Sequence, residues 1–233
     1  MLRIVISGTY CTGKTTLSLA LEKATGIPST HALTMREILP NLIPGQSLRE
    51  CTFTQLLALG MKRFEDRIRK ESALKNRFVS DGSPLNEWLY GSTRLITGAY
   101  PDESPLKIHL KKILEWNDFS KFKLLLQGFE GMAKVYTVNS YDYFFHLPVE
   151  FPFVADGHRP TSEEFRKVSE ERLLETYKNL GITPVIIRGS LEERILSILK
   201  VLNIKPAYPI QECIAYAMDI RSNKFDNIKL ESH

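Results

Sequence analysis

Residues 6–16 read ISGTYCTGKTT, and their spacing decides how the rest of the chain is understood. Gly8, Gly13, Lys14 and Thr15 stand as G-x-x-x-x-G-K-T, directly after the apolar run Ile4, Val5, Ile6. A strand, a glycine-bearing turn and a helix opening at a lysine can wrap a phosphate chain in backbone N–H groups and the positive end of the helix. The loop from Gly8 through Thr9, Tyr10, Cys11, Thr12 and Gly13 lines the phosphates in this reading. Lys14 reaches the β- and γ-phosphates, the Thr15 hydroxyl completes a Mg²⁺ shell, and Thr16 follows beside the nucleotide. Cys11 is a small residue at a variable loop position. The motif points to a bound nucleotide, but not to whether its phosphate is transferred, hydrolysed or sensed.

Working outward, Leu2 to Ser7 predicts a buried strand and Thr15 to Ala24 a helix, with Gly26 just past its end. Leu57, Met61, Phe64 and Ile68 set the stripe of a helix over about 54–74. RFVSD (77–81) is a second strand, and Ser83 and Pro84 sit as N-cap and first residue of the next helix. YDYFFHLP (141–148) and TPVIIRG (183–189) are further strands. Between them a capping box, Thr161 with Glu164, opens a helix that ends at Gly181. Strands alternating with helices after a glycine-bearing first turn predict an α/β fold, a parallel sheet covered on both faces.

The chain has 233 residues, 43% hydrophobic and 25% charged, with a formal charge of +4. These values fit one globular domain over 1–233 and a mild preference for anionic ligands. Cys11, Cys51 and Cys213 are scattered and odd in number, which predicts reduced thiols and a cytoplasmic setting. No run of 18 apolar residues occurs and Met1 leads straight into a strand, so neither membrane span nor signal peptide is expected.

Asp81 ends the second strand, and ligands of open parallel sheets sit at the carboxyl ends of strands. There a carboxylate holds Mg²⁺ or takes a proton from an attacking hydroxyl; DGSP is also a good turn sequence in its own right. ADGHRPTSEEFR (155–166) carries Arg159 and Arg166 around a helix start. Phosphoryl transfer is catalysed mostly by positioning and charge neutralisation, which suits arginines on a closing loop; two solvated arginines are the plain alternative.

Other signals are set aside. NKFD (223–226) has the guanine-reading N-K-x-D pattern, but it follows the polar DIRS instead of a buried strand, and no D-x-x-G follows the second strand. Lys107, Lys111, Lys112, Lys121 and Lys123 read as a solvated helix face, which makes nucleic acid an unlikely partner. His146 is expected to be packed, and Trp88 and Trp116 to be core or pocket wall.

The stretches GTYCTGKTTL, Arg36 in TMRE, Gln55, VSDGSPL, YDYFFHLPVEFPFVADGHRP leading to Arg166, and VIIRGSLEERI together resemble P-loop small-molecule kinases of the nucleoside and nucleotide group. The chain is similar to the nicotinamide-riboside-kinase domain type and to AAA-like ATP-binding proteins, outside 99–127 and 203–233. It departs at Cys11, where adenylate-kinase relatives carry another glycine, and at DGSP, which is not the paired-acid sequence of nicotinamide-riboside kinases. The resemblance implies a three-layer P-loop fold with about five parallel strands, an acceptor-side helical region over 31–75, a helical insertion over 99–127 and a lid over 153–166. It implies ATP and Mg²⁺ as cofactors, a small-molecule acceptor, and a monomer or homodimer. By position, Asp81 is the base or metal-side carboxylate, and Arg159 and Arg166 are the lid arginines. Arg36 and Gln55 face the acceptor, and the 188–194 segment with Arg194 lies near the adenine.

Overall fold

The first strand, β1 (Leu2–Gly8), runs through the interior of a parallel sheet in which β2 (Arg77–Asp81), β3 (Tyr143–Leu147) and β4 (Val185–Ile186) are ordered β2-β1-β3-β4. The computed structural model describes residues 1–48, 50–97, 106, 116–151 and 163–226. Ile4, Val5 and Ile6 are essentially inaccessible, as an apolar run covered on both faces requires. The register sets Ile6 beside Asp81 on one side and Gly8 beside Leu147 on the other. The ends of three strands thus meet where the glycine turn begins.

Four strands are present among the described residues, where about five were expected. The last is also shorter than 183–189. Pro184 lacks a donor and Gly189 has a φ of 91°, which leaves a two-residue edge strand between them. Ile187 still donates to the carbonyl of His146 at 2.9 Å.

Side-chain alternation along β1 divides the core. Ile4 and Ile6 face α1 (Lys14–Thr25), packing with Leu17, Leu21 and Ala24. The same cluster takes in Ile195 and Ile198, and Cys213 and Ala217, which lie on two later helices. Val5 faces the opposite side, with Phe78 and Tyr141. That side is covered by α3 (Phe53–Leu74), α4 (Pro84–Thr97), α5 (Trp116–Ser140) and α6 (Glu163–Asn179); the short α2 (Met35–Leu42) leads into α3. The chain closes with α7 (Leu191–Leu202) and α8 (Ile210–Asp226), packed on α1.

Two local features differ from the sequence pattern. The inward face of α3 holds Leu57 and Gly60 but continues into Arg67 and Glu71, while Met61 is 40% exposed. A charged pair takes the inner stripe because its partners wait on β2 and on α4, as described below. Trp88 is buried as expected, whereas Trp116, at the start of α5, is 66% exposed and forms no core. Gly91 of α4 is a packing glycine: a Cβ there would lie 2.8 Å from Leu126 Cδ1. The expected capping residue Thr161 lies outside the described residues. Among the described residues no helix is long and apolar enough to cross a membrane.

Candidate phosphate-binding site

The turn between β1 and α1 takes backbone conformations that its residues permit. Gly8 has a φ of 144°, and a Cβ there would stand 2.7 Å from both the carbonyl of Leu147 and the hydroxyl of Thr12. Gly13 is left-handed at φ 93° and forms the N-cap of α1 without a side-chain cap, and the first turn of that helix has no acidic residue. Neither an N-cap side chain nor a first-turn acid offsets the positive end that α1 turns toward the loop. Cys11 also has a positive φ, 58°. Inside the curve Thr12 Oγ1 donates to the carbonyl of Thr9 at 3.0 Å, and Lys14 Nζ donates to the same oxygen at 2.5 Å. A glycine-bearing turn with one ammonium drawn over it and a helix start behind it suits a chain of phosphates.

Two side chains that lie far away in sequence hold the loop from outside. Asn86, in the first turn of α4, donates to the carbonyl of Gly8 at 3.0 Å while its own oxygen caps the N–H of Ser83 at 2.9 Å. Arg194, on α7 and 4% exposed, donates to the carbonyl of Thr12 at 2.7 Å and to Glu150 at 2.8 Å. Its guanidinium also approaches where a Cβ on Gly13 would be, at 3.4 Å. The resemblance set Arg194 near the adenine; here it braces the loop backbone.

Asp81 meets the start of α1 directly. The hydroxyl of Thr15 donates to its Oδ2 at 2.5 Å. Burial alone would raise the Asp81 pKa, but the charges of Lys14, Arg63 and Arg67 and the Thr15 hydrogen bond outweigh it and hold the carboxyl below its ordinary range. Asp81 is thus an anion throughout the neutral range. Two hard oxygen donors, one hydroxyl and one carboxylate, converge here, which fits Mg²⁺; that ion is commonly held by one or two protein ligands together with nucleotide phosphates. Among the described residues no group of three His, Cys, Asp or Glu side chains forms a metal cage.

A buried polar network supports Asp81 from behind. Arg67 is fully buried and donates to Ser80 Oγ at 2.8 Å, to the carbonyl of Gly82 at 2.8 Å and to Glu87 at 3.2 Å. Arg63 shares Glu87 at 2.8 Å and donates to the carbonyl of Leu33 at 2.9 Å. Glu71 accepts from Ser80, Tyr136 and Tyr141 at 2.6, 2.8 and 2.9 Å. Burial raises the Glu71 pKa, and Arg67 and the three hydroxyls only partly offset it. Arg67 in this way ties α3 to the turn that carries Asp81 and Gly82.

Tyr10 of the loop stacks on Tyr90 at 4.0 Å, and both lie near Phe165 of α6. Arg36 is half-buried in the first turn of α2. Gln55 serves the N-terminus of α3, accepting from the N–H of Thr52 at 2.8 Å in a capping box, and also bonds Gln46. Arg166 is 1% exposed and donates to the carbonyl of Phe151 at 3.2 Å and to Glu163 at 3.1 Å, so it tethers α6 to the exit of β3. Arg159 and most of the expected lid lie outside the described residues. Beneath the loop Ser7 Oγ lies 2.7 Å from Tyr177 Oη and 3.3 Å from His146 Nδ1, whose other nitrogen faces Glu170 at 3.3 Å. His146 is packed, as expected. Residues 223–226 end α8 and follow no strand, in keeping with a chance match to N-K-x-D.

Asn86, Arg63, Arg67 and Glu87 have no local sequence signal as site residues. Only the spacing of Asn86 after Asp81 could have drawn attention. A model of the AAA domain family matches residues 3–194 of the chain, from the start of β1 to the arginine that braces the loop. No curated protein and no solved structure matches it.

Proposed function

The chain belongs to the AAA domain family, and from that premise we propose that it transfers the γ-phosphoryl group of ATP to a small-molecule acceptor, a nucleoside, nucleotide or nucleoside-like metabolite. The observation that carries this reading is the 2.5 Å contact between Thr15 and an Asp81 held ionised by Lys14, Arg63 and Arg67. In this reading the carboxylate serves the γ-phosphate, and the stacked Tyr10 and Tyr90 offer an aromatic wall to the acceptor.

In this mechanism the loop amides and the start of α1 bind the phosphate oxygens. Lys14 exchanges the Thr9 carbonyl for β- and γ-phosphate oxygens and neutralises charge that grows during transfer. Thr15 and Asp81 would hold Mg²⁺, which would supply neutralisation of the phosphate charge. The acceptor hydroxyl lies along the Tyr10–Tyr90 wall, and Asp81 orients it and receives its proton as the new P–O bond forms and the bond between the γ-phosphorus and the β,γ-bridging oxygen breaks, with ADP as the leaving group. Arg159 completes the neutralisation from the lid side, and Arg166 anchors the base of that lid through Phe151 and Glu163. Arg36 and Gln55 border the acceptor, and a monomer or homodimer in the cytoplasm is the setting that accords with this chemistry.

The test is a screen of nucleosides, nucleotides and sugars with labelled ATP and Mg²⁺, using Lys14→Ala as control. Labelled acceptor formed by the native chain and not by the control is the expected result. Brisk ATP hydrolysis with no acceptor labelled in a broad screen replaces transfer by a hydrolytic role.

A further inference from the structure

Helix α5 is apolar on two opposite faces. Phe122, Leu126, Phe129, Ala133 and Thr137 are buried against the body of the protein. On the other side Leu124 is 69% exposed, Leu125 47%, Met132 48%, Val135 65% and Val138 46%. A helix that is apolar all round is a buried helix, and the second face calls for a cover. The charges within this stretch are drawn aside: Glu130 and Lys134 pair with each other at 2.5 Å, and Lys134 lies 5.3 Å over the Trp88 ring. From Leu124 to Val138 no exposed residue of α5 is charged.

The centre of that face is made of glycine. Gly128 and Gly131 are exposed, and a Cβ on either would meet nothing within 4 Å. Glycine inside a helix costs about 0.5–1 kcal/mol relative to alanine. Gly91 has a packing reason inside the protein, its contact with Leu126; Gly128 and Gly131 have none. A helix approaching closely from outside supplies one.

The exposed Leu124, Gly128, Gly131, Val135 and Val138 step by four, three, four and three, a coiled-coil seam. From Leu124 to Val135 the spacing reads alike in both directions. Turned about a two-fold axis between Gly128 and Gly131, Leu124 falls opposite Val135 and Gly128 opposite Gly131. We propose that a second copy of this chain covers the face, in a two-fold homodimer whose α5 helices pack antiparallel. Covering these side chains on both copies buries roughly 1,000 Å², at the lower edge of the range for specific interfaces. The dimer is therefore one that dissociates on dilution.

Sedimentation velocity of the full chain over a wide dilution series tests this. A monomer–dimer equilibrium is expected, and Val135→Glu or Leu124→Glu weakens it by about tenfold or more, because each variant buries an unpaired carboxylate against an apolar side chain. A monomer at every concentration overturns the proposal, as does a dimer that both variants leave unchanged. Oxidative cross-linking decides independently of how those variants fold. Gly128→Cys mixed with Gly131→Cys should cross-link well above the wild-type background. Preferential cross-linking of Gly128→Cys with itself would mean a parallel or different seam and would sink the arrangement.

Discussion

The guanidinium of Arg194 donates to the carbonyl of Thr12 at 2.7 Å across a sequence separation of 182 residues. It holds the crown of the phosphate loop in place while its second nitrogen is anchored on Glu150. Arg194→Ala should therefore weaken ATP–Mg²⁺ binding by about tenfold, the scale of one hydrogen bond to a charged group. Arg194→Lys should recover little, since an ammonium lacks the fork that spans both partners. Calorimetric titration checks both; unchanged affinity in the alanine variant would mean that the loop holds its shape unaided.

Asp81→Asn keeps the shape of the side chain but removes its charge. Phosphoryl transfer should fall at least about 10²-fold, the lower end for loss of a general base. Metal-free ATP binding should persist, because Lys14 and the loop amides are untouched. Because its pKa is depressed, Asp81 stays ionised as pH falls through the ordinary carboxylate range. An acidic limb in the rate profile centred within that range would then belong to another group. Rate measurements against pH on both proteins decide this.

The two lid arginines should separate by readout. Arg166 is buried against the carbonyl of Phe151, so Arg166→Ala should lower stability by about 1–3 kcal/mol, seen as a lower Tm. Arg159→Ala should lower kcat by about 10³-fold, as loss of an arginine finger does. A kcat loss below about tenfold in Arg159→Ala would remove it from the chemistry.

Tyr141→Phe takes one donor from Glu71. The hydrogen bond favours the ionised carboxylate, so its loss is fully expressed above the raised Glu71 pKa and shrinks as pH falls through it. The destabilisation should be about 1–3 kcal/mol at mildly alkaline pH and clearly smaller under acid. Denaturant unfolding of both proteins at the two pH values measures it; a pH-independent difference would place the effect in packing alone.

The phosphate loop and Asp81 were legible from sequence because their meaning is local: a strand, positive-φ glycines and a helix start within a few residues. Gln55 shows where local reading could have gone further, since Thr52 and Gln55 already spell a capping box. Arg194 and Asn86 were illegible as braces because their partners lie on other elements. Arg67 and Glu71 look like the charged face of a surface helix until Glu87, Ser80 and the two tyrosines close around them. Trp116 failed in the opposite sense: its size suggests core, but it begins a helix at the surface.

The hydroxyl of Ser7, one residue before the loop, is shared with Tyr177 of α6 and with His146 of β3. Strand and helix are thereby geared together beneath the phosphates. A rigid-body swing of α6 has to break a buried hydroxyl pair or drag β1 along with it. Its clock is that of collective motions, microseconds to milliseconds, and not the nanoseconds of a surface loop. Deuterium labelling should accordingly find the amides of β1 and of α6 around Tyr177 exchanging as one slow unit.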